Sequence, residues 1–512
     1  MDSSIHLFRN VTRTLFGQAS TLIMEFGSIN QFLDGKTFLV TGATGFIAKI
    51  FVEKLLRVQP NLKKLYLLVR AKDNKSAADR LKHEIVGKEL FDVLRGEWGK
   101  DFDSLISQKV IAIAGDSTCG NLGISDYGLR EEMWKEVDVV VNVAATTKFY
   151  DRYDVAFNTN TLGALHVLNF AKKCEKIQLL LHVSTAYVCG EKTEIVSEKP
   201  FNMGEPLRGT SQIDIDAETK LINENLEDLK INQASENRTK KILRDLGHQR
   251  AKRYGWPNVY VFTKAMGEML LSRFKGNLPV VILRPTIVTS TYKEPIPGWI
   301  EGVRMLDAPL VAYGKGKLNI FFGEGNSILD LIPADMVVNA MIIAMVAHAN
   351  QPSSMAVYQL GTSFRNPVNL TRVHDIFFRY FTENPWTNKE GRRVIIQRGT
   401  VLGSLFVFQI FLWLLLFVVK VLRLVDTVSS HQFQSFADNL YTKITVAMKL
   451  VEIYKPFLSF KGIFKDVATE ELRVAARRNG VDETRFFFDP KLIDWNDYFL
   501  RVHIPAAVRL LF

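Results

Sequence analysis

Residues 37–48, TFLVTGATGFIA, run an apolar segment into a glycine-punctuated turn and on into helical spacing, with Gly42, Gly45 and Ala48 three residues apart. This junction constrains the fold more tightly than the rest of the chain. A buried strand that feeds a helix through glycines lets the backbone of Thr41, Gly42, Thr44, Gly45, Phe46 and Ile47 approach a pyrophosphate, which then rests on the N–H groups that open the helix. Strand, helix and spacing agree, so the segment predicts dinucleotide binding. A P-loop is excluded, because Gly35, Lys36 and Thr37 precede the strand and position 30 is Asn30 where the earlier glycine belongs.

Similar apolar runs follow in KLYLLVR, VIAIAGD, VDVVVNVAA, QLLLHVSTA and PVVILRP, with helical periodicity between them. Runs bounded by turns and apolar on both faces are the mark of strands in a parallel sheet covered by helices. The expected fold is therefore α/β, a doubly wound parallel (Rossmann) sheet over residues 35–365, behind a leader of residues 1–34. Residues 190–257 are polar and charge-rich and read as an insertion, and residues 366–512 form a second, helical region. Within it, residues 399–419 run 21 positions without a charge. About 20 helical residues cross a bilayer, so membrane lipids are expected partners. Basic residues on both sides leave the orientation open.

The leader carries Arg9, Arg13 and several hydroxyl residues with few acids, which makes an organelle transit segment the alternative to it. With 65 basic and 54 acidic residues the net charge is +11, which suits phosphates or an anionic membrane. No helix-turn-helix or zinc spacing supports nucleic acid. Cys119, Cys174 and Cys189 form no CxxC pair, so neither a disulfide framework nor a metal site is expected.

The second strand ends at Arg70, 22 residues after Ala48, where an acid would hold the ribose of NAD. An arginine there accommodates a 2′-phosphate, with Lys72 as a helper, so NADPH is the expected cofactor. Asp116 follows the third strand, placed to meet the adenine or simply to make a turn.

Tyr260 and Lys264 form a YxxxK pair, one helical turn apart on one face, where an ammonium favours the phenolate. Tyr313 and Lys317 match the same pattern, but in YGKGK the glycines oppose a helix, whereas Tyr260 opens the helical run YVFTKAMGEMLLSRF. Ser184 and Thr185 emerge at the carboxyl end of a strand, where open α/β sheets bind ligands and a hydroxyl can meet a substrate carbonyl. Cys189 offers a rival acyl-cysteine route, without a basic activator beside it in the sequence.

With these residues in view, the chain strongly resembles the fatty acyl-CoA reductases, in particular the plant male-sterility-like branch of the extended short-chain dehydrogenases. The resemblance runs through LLVRAKDNKSA, NVAATTKF, LLHVSTAYVCGE, GWPNVYVFTKAMGE, ILRPTIV, DLIPADMVVNA and FDPKLIDWNDYFLRVHIP. It implies Tyr260 as proton donor, Lys264 as its modulator and ribose anchor, and Thr185 as the hydroxyl that polarises the carbonyl. It also places Ala144, Pro285 and Thr286 beside the cofactor. The implied reaction takes a long-chain fatty acyl-CoA through an aldehyde to a primary alcohol, at the endoplasmic reticulum membrane with the site facing the cytosol, or in a plastid. Acyl carrier protein thioesters, a reaction that stops at the aldehyde, a sterol- or sugar-modifying relative and a non-catalytic NADP-sensing scaffold are the alternatives.

Overall fold

The computed structural model describes residues 27–511 except 192–193, 350, 389, 427–433 and 459. Most of the leader, residues 1–26, lies outside the described residues. Seven parallel strands form the central sheet: β1 (Thr37–Thr41), β2 (Lys64–Val69), β3 (Val110–Ala114), β4 (Val139–Asn142), β5 (Leu179–Val183), β6 (Val280–Pro285) and β7 (Met355–Leu360). Their order is β7-β6-β5-β4-β1-β2-β3, so the direction of winding reverses between β1 and β4, where doubly wound sheets bind ligands. In register, Phe38 faces Leu65 on one side and Val139 on the other. β1, β4, β5 and β6 are buried throughout, which is why they read as continuous apolar runs.

Helices cover both faces. α1 (Phe46–Val58) leaves the glycine turn and is buried along most of its length. The insertion supplies an antiparallel pair, α2 (Ile215–Ile231) and α3 (Glu236–Arg253), each capped by a side chain, Asp214 and Ser235. Glu218 of α2 ties the pair inward by accepting from the Tyr153 hydroxyl at 2.7 Å and from the Arg250 guanidinium. α4 (Val259–Phe274) follows, capped by Asn258, which accepts from Val261 N at 3.1 Å. α5 (Ala334–His348) is buried on every side, which suits its largely apolar surface.

The chain beyond β7 is woven into the sheet domain. Thr400–Leu402 pairs with Ile320–Phe322, and Ile463–Phe464 with Ile195–Val196. The half-buried Glu198 carboxylate accepts from Gln359 N, Ala468 N and the Thr469 hydroxyl at 3.0, 2.6 and 2.9 Å, joining insertion, β7 and C-terminal region at one point. Near the end of the chain, Tyr498 donates to Thr289 Oγ1 at 2.7 Å, and His503 lies between Ser290 Oγ at 2.9 Å and Asp307 Oδ1 at 3.1 Å.

The uncharged run of residues 399–419 is divided. Its first residues form the short strand at Thr400–Leu402, and the helix α6 begins at Leu405 and continues past Lys420 and Arg423 to Asp426. Its 22 residues span about 33 Å, enough to cross a hydrocarbon core. Phe408, Leu412 and Val419 pack against Ile444 and Ala447 of α7 (Gln434–Leu458), whereas Phe406, Trp413 and Phe417 on the other faces are 70%, 73% and 64% exposed.

Candidate active site

At the carboxyl ends of β4, β5 and β6 opens a cavity of about 610 Å³. Among the residues singled out from the sequence, Gly45, Phe46, Ile47, Thr185, Tyr260, Lys264, Pro285 and Thr286 line it. Sheet topology therefore gathers at one place groups that lie as far apart in the chain as Gly45 and Thr286.

The glycine turn is shaped by close approach. Gly42 has φ +68°, and a Cβ there would lie 2.6 Å from Ala144 N and 2.7 Å from Ala144 Cα, so the β1 turn can sit against the β4 turn only without a side chain. Gly45, at the start of α1, is exposed and provides no side-chain cap, which leaves the first N–H groups of the helix open to an anion. Thr41 acts differently from its neighbours. Its hydroxyl donates to Asn142 Oδ1 at 2.6 Å and accepts from Ala144 N at 3.3 Å, so its side chain braces β1 against β4.

β5 ends in Ser184 and Thr185. Thr185 Oγ1 lies 3.4 Å from both Pro285 O, to which it donates, and Tyr187 N, from which it accepts. Tyr260 lines the same cavity. Ser184 Oγ is buried and has no hydrogen-bond partner among the described residues, a donor held ready at the cavity wall. Burial pushes the Tyr260 phenol up to about 12, against the Thr185 hydroxyl, which draws it down. Burial also pushes the Lys264 ammonium down to about 8. At neutral pH Tyr260 thus carries a transferable proton and Lys264 a positive charge.

Below the cavity a polar chain that sequence reasoning missed supports Lys264. Its Nζ donates to Val183 O at 2.8 Å and lies 3.1 Å from His182 Nε2, while His182 Nδ1 lies 3.0 Å from Asn142 Nδ2. Burial and the neighbouring ammonium hold His182 well below its usual pKa, so it is neutral. The available signal was a histidine and an asparagine inside the buried runs LLLHV and VVVN, since a polar side chain in such a strand needs a partner. Tyr454 and Phe457 of α7, which reach the cavity from far along the chain, left no such signal.

The remaining expected residues lie apart from the cavity. Arg70 is exposed at the end of β2, and Arg80 donates to its carbonyl at 2.6 Å. Asp116 follows β3, where its Oδ1 accepts from Thr118 N at 2.9 Å and shapes a turn. Cys189 is buried outside the cavity wall and donates to Gly190 O at 3.5 Å. Tyr313 of the second YxxxK match is fully buried and donates to Gln397 O at 2.9 Å, and the helix ends at Gly314, before Lys317. Ser290, His503 and Asp307 have the residue types of a hydrolytic triad but are all fully buried, which leaves them a structural role. Among the described residues no cluster of side chains suits a metal ion.

The close-packed Gly42 and the open helix start at Gly45 would hold the pyrophosphate of a dinucleotide, and the unpartnered Ser184 hydroxyl leaves a polar group free in the cavity wall beside it.

Residues 40–341 match the NAD-binding model described as male sterility protein, and residues 414–512 match a second model of the same description. An alcohol-forming fatty acyl-CoA reductase of Simmondsia chinensis is 51% identical over 94% of this chain and 99% of its own length. Fatty acyl-CoA reductase 1 of Arabidopsis thaliana is 48% identical over 93% and 98%. The chloroplastic fatty acyl-CoA reductase 2 of Arabidopsis thaliana is 38% identical over 98% of this chain and 82% of its own length. Among solved structures, the reductase domain of a nonribosomal peptide synthetase from Mycobacterium tuberculosis has the same fold, with a TM-score of 0.58 at 18% identity over 96% of this chain and 95% of that one. Matched nearly end to end at about half identity, with its sheet, glycine turn and YxxxK helix in one cavity, the chain belongs to the fatty acyl-CoA reductase family.

Proposed function

We propose that this chain reduces long-chain fatty acyl-CoA to primary fatty alcohol in two steps, using NADPH, at a membrane surface. The observation that carries the reading is the convergence of Thr185, Tyr260 and Lys264 on one cavity beside an open helix start, in a chain collinear with alcohol-forming relatives.

When bound, the nicotinamide supplies a hydride to a carbonyl carbon in each step. The protein supports that transfer by holding the carbonyl oxygen near Thr185 and Tyr260 and by giving up the Tyr260 proton as the oxygen becomes basic. In the first step the protonated tetrahedral adduct breaks its C–S bond, coenzyme A leaves as the thiol, and an aldehyde remains. In the second, the alkoxide takes the Tyr260 proton and becomes the alcohol. After each transfer the phenolate lies one helical turn from Lys264, whose ammonium favours it until the proton is restored from solvent. The exposure of Arg70 at the end of β2 supports NADPH, since a free guanidinium there suits the 2′-phosphate that distinguishes it.

The apolar outer faces of α6 support membrane association, since a patch of that size in water invites aggregation. The endoplasmic reticulum, with the cavity facing the cytosol, suits a soluble cofactor and thioester meeting an apolar product. A plastid is the second reading, favoured by the arginine- and hydroxyl-bearing leader and by the chloroplastic relative.

Incubating the detergent-solubilised full chain with acyl-CoA and NADPH tests the reaction. Two NADPH consumed per acyl-CoA are expected, with fatty alcohol as product and little aldehyde captured by hydroxylamine. One NADPH per thioester with accumulating aldehyde refutes the second step.

A further inference from the structure

Beside the catalytic cavity lies a second space of about 90 Å³ with almost wholly apolar walls. Ile287, Met305, Tyr454 and Phe457 line both spaces, so four side chains form the partition between them. Phe457 is held there by ring contacts to Tyr187 at 4.7 Å and Phe149 at 4.9 Å, and Phe149 in turn contacts Tyr260 at 6.0 Å. The partition is thus in van der Waals continuity with the proton donor.

From the geometry we infer that the apolar space is the compartment for the distal end of the acyl chain, and that Ala447 and Leu450 on α7 set the chain length it accepts. This rests on the proposed acyl-CoA reaction and assigns it a binding site.

Ala447, Leu450, Tyr454 and Phe457 recur at helical spacing, so one face of α7 runs from the catalytic cavity to the far wall of the apolar space. Phe457 lies ten positions after Ala447, about 15 Å of helix, which matches roughly a dozen carbons of extended chain at about 1.3 Å per carbon. The space as it stands is smaller than such a chain, so occupancy requires the partition side chains to turn aside. The wall is chemically fit for an alkyl chain. Burial pushes the Tyr454 phenol up to about 12 and draws His374 below its usual pKa, so neither titratable side chain of the wall is charged at neutral pH. Ala447 also packs against Phe408 and Leu412 of α6, which puts the closed end of the compartment against the helix whose outer faces are apolar and exposed. Substituting at Ala447 shortens the space, and trimming Leu450 deepens it.

The test compares kcat/KM for decanoyl-, hexadecanoyl- and octadecanoyl-CoA in the solubilised full chain. Ala447→Phe is expected to lower the octadecanoyl-to-decanoyl ratio about tenfold, and Leu450→Ala to raise it, because a few methylenes gained or lost in an apolar pocket change discrimination by 10-fold or more, as a rough guide. An unchanged ratio in both variants overturns the assignment. Should either variant fail to fold, an octadecanoyl-CoA carrying a terminal diazirine is cross-linked to the unmodified chain. Adducts mapping to Ala447–Leu458 or to Val373–Phe377 support the compartment, and adducts confined elsewhere overturn it. A chain that oxidises no NADPH with any thioester refutes the proposed function, whereas turnover with an unchanged ratio refutes only the compartment.

Discussion

Replacing Tyr260 by phenylalanine separates proton donation from everything else the residue does. The ring keeps its tilted contact with Phe149 at 6.0 Å, and Thr185 keeps its contacts with Pro285 O and Tyr187 N when the phenol is gone. At most one hydrogen bond between neutral groups is forgone, about 1 kcal/mol, so the melting temperature should fall by no more than about 4 °C. The chemical step loses far more. A positioned general acid contributes about 10²- to 10⁴-fold, or roughly 2.7 to 5.4 kcal/mol of barrier. In the proposed arrangement the cofactor would rest on the glycine turn and Lys264 rather than on the phenol proton, so its affinity should stay within about twofold, since no charged contact is removed. Stopped-flow loss of NADPH absorbance with excess acyl-CoA, beside equilibrium binding of NADPH by fluorescence, measures both quantities. Loss of less than tenfold in turnover, or a loss matched by weakened cofactor binding, refutes the assignment of Tyr260 as donor.

Three further outcomes are expected. Arg70→Glu should shift the ratio of kcat/KM for NADPH over NADH by about 10- to 100-fold toward NADH, the loss of a charge-assisted hydrogen bond of roughly 1.5 to 3 kcal/mol, and an unchanged ratio means that another residue holds the 2′-phosphate. Since burial pushes Lys264 down to about 8 and Tyr260 up to about 12, the ammonium is present below pH 8 and lost above it while the phenol stays protonated, so kcat/KM should be level at neutral pH and fall on the alkaline side near pH 8. A profile flat to pH 10 contradicts that. Trp413→Lys with Phe417→Lys places two charges on exposed positions of α6, at about 3 kcal/mol each in a bilayer centre, and should release the chain from sedimenting membranes, whereas equal sedimentation shows that α6 is not the anchor.

The sheet was legible because its inner strands are apolar on both faces, and the YxxxK helix because Tyr260 opens a run of helix-favouring spacing. Side-chain direction was less so. Thr41 sits inside the fingerprint, yet its hydroxyl turns sideways to Asn142, a choice made by the strand next door. The His182 contact to Lys264 joins residues on different elements, and periodicity carries no information about such pairings. The apolar run misled about position because its first residues, with Gly399, Thr400, Val401 and Gly403 among them, are poor helix formers and find a strand partner in Ile320–Phe322 instead. The contribution of α7 to the cavity depends on how the C-terminal region folds back, which no local pattern encodes.

That return of the chain has a consequence for how the protein comes into being. A chain emerges from the ribosome N-terminus first, and the sheet domain has all seven strands once Leu360 is out. Yet Thr289 and Ser290, just past β6, wait for Tyr498 and His503, Glu198 waits for Ala468 and Thr469, and the cavity lacks its α7 wall until residue 457 is made. α6 is synthesised before all of these, early enough to meet a membrane while the site behind it is still open. The completed cavity is therefore the last part of the site that the nascent chain acquires.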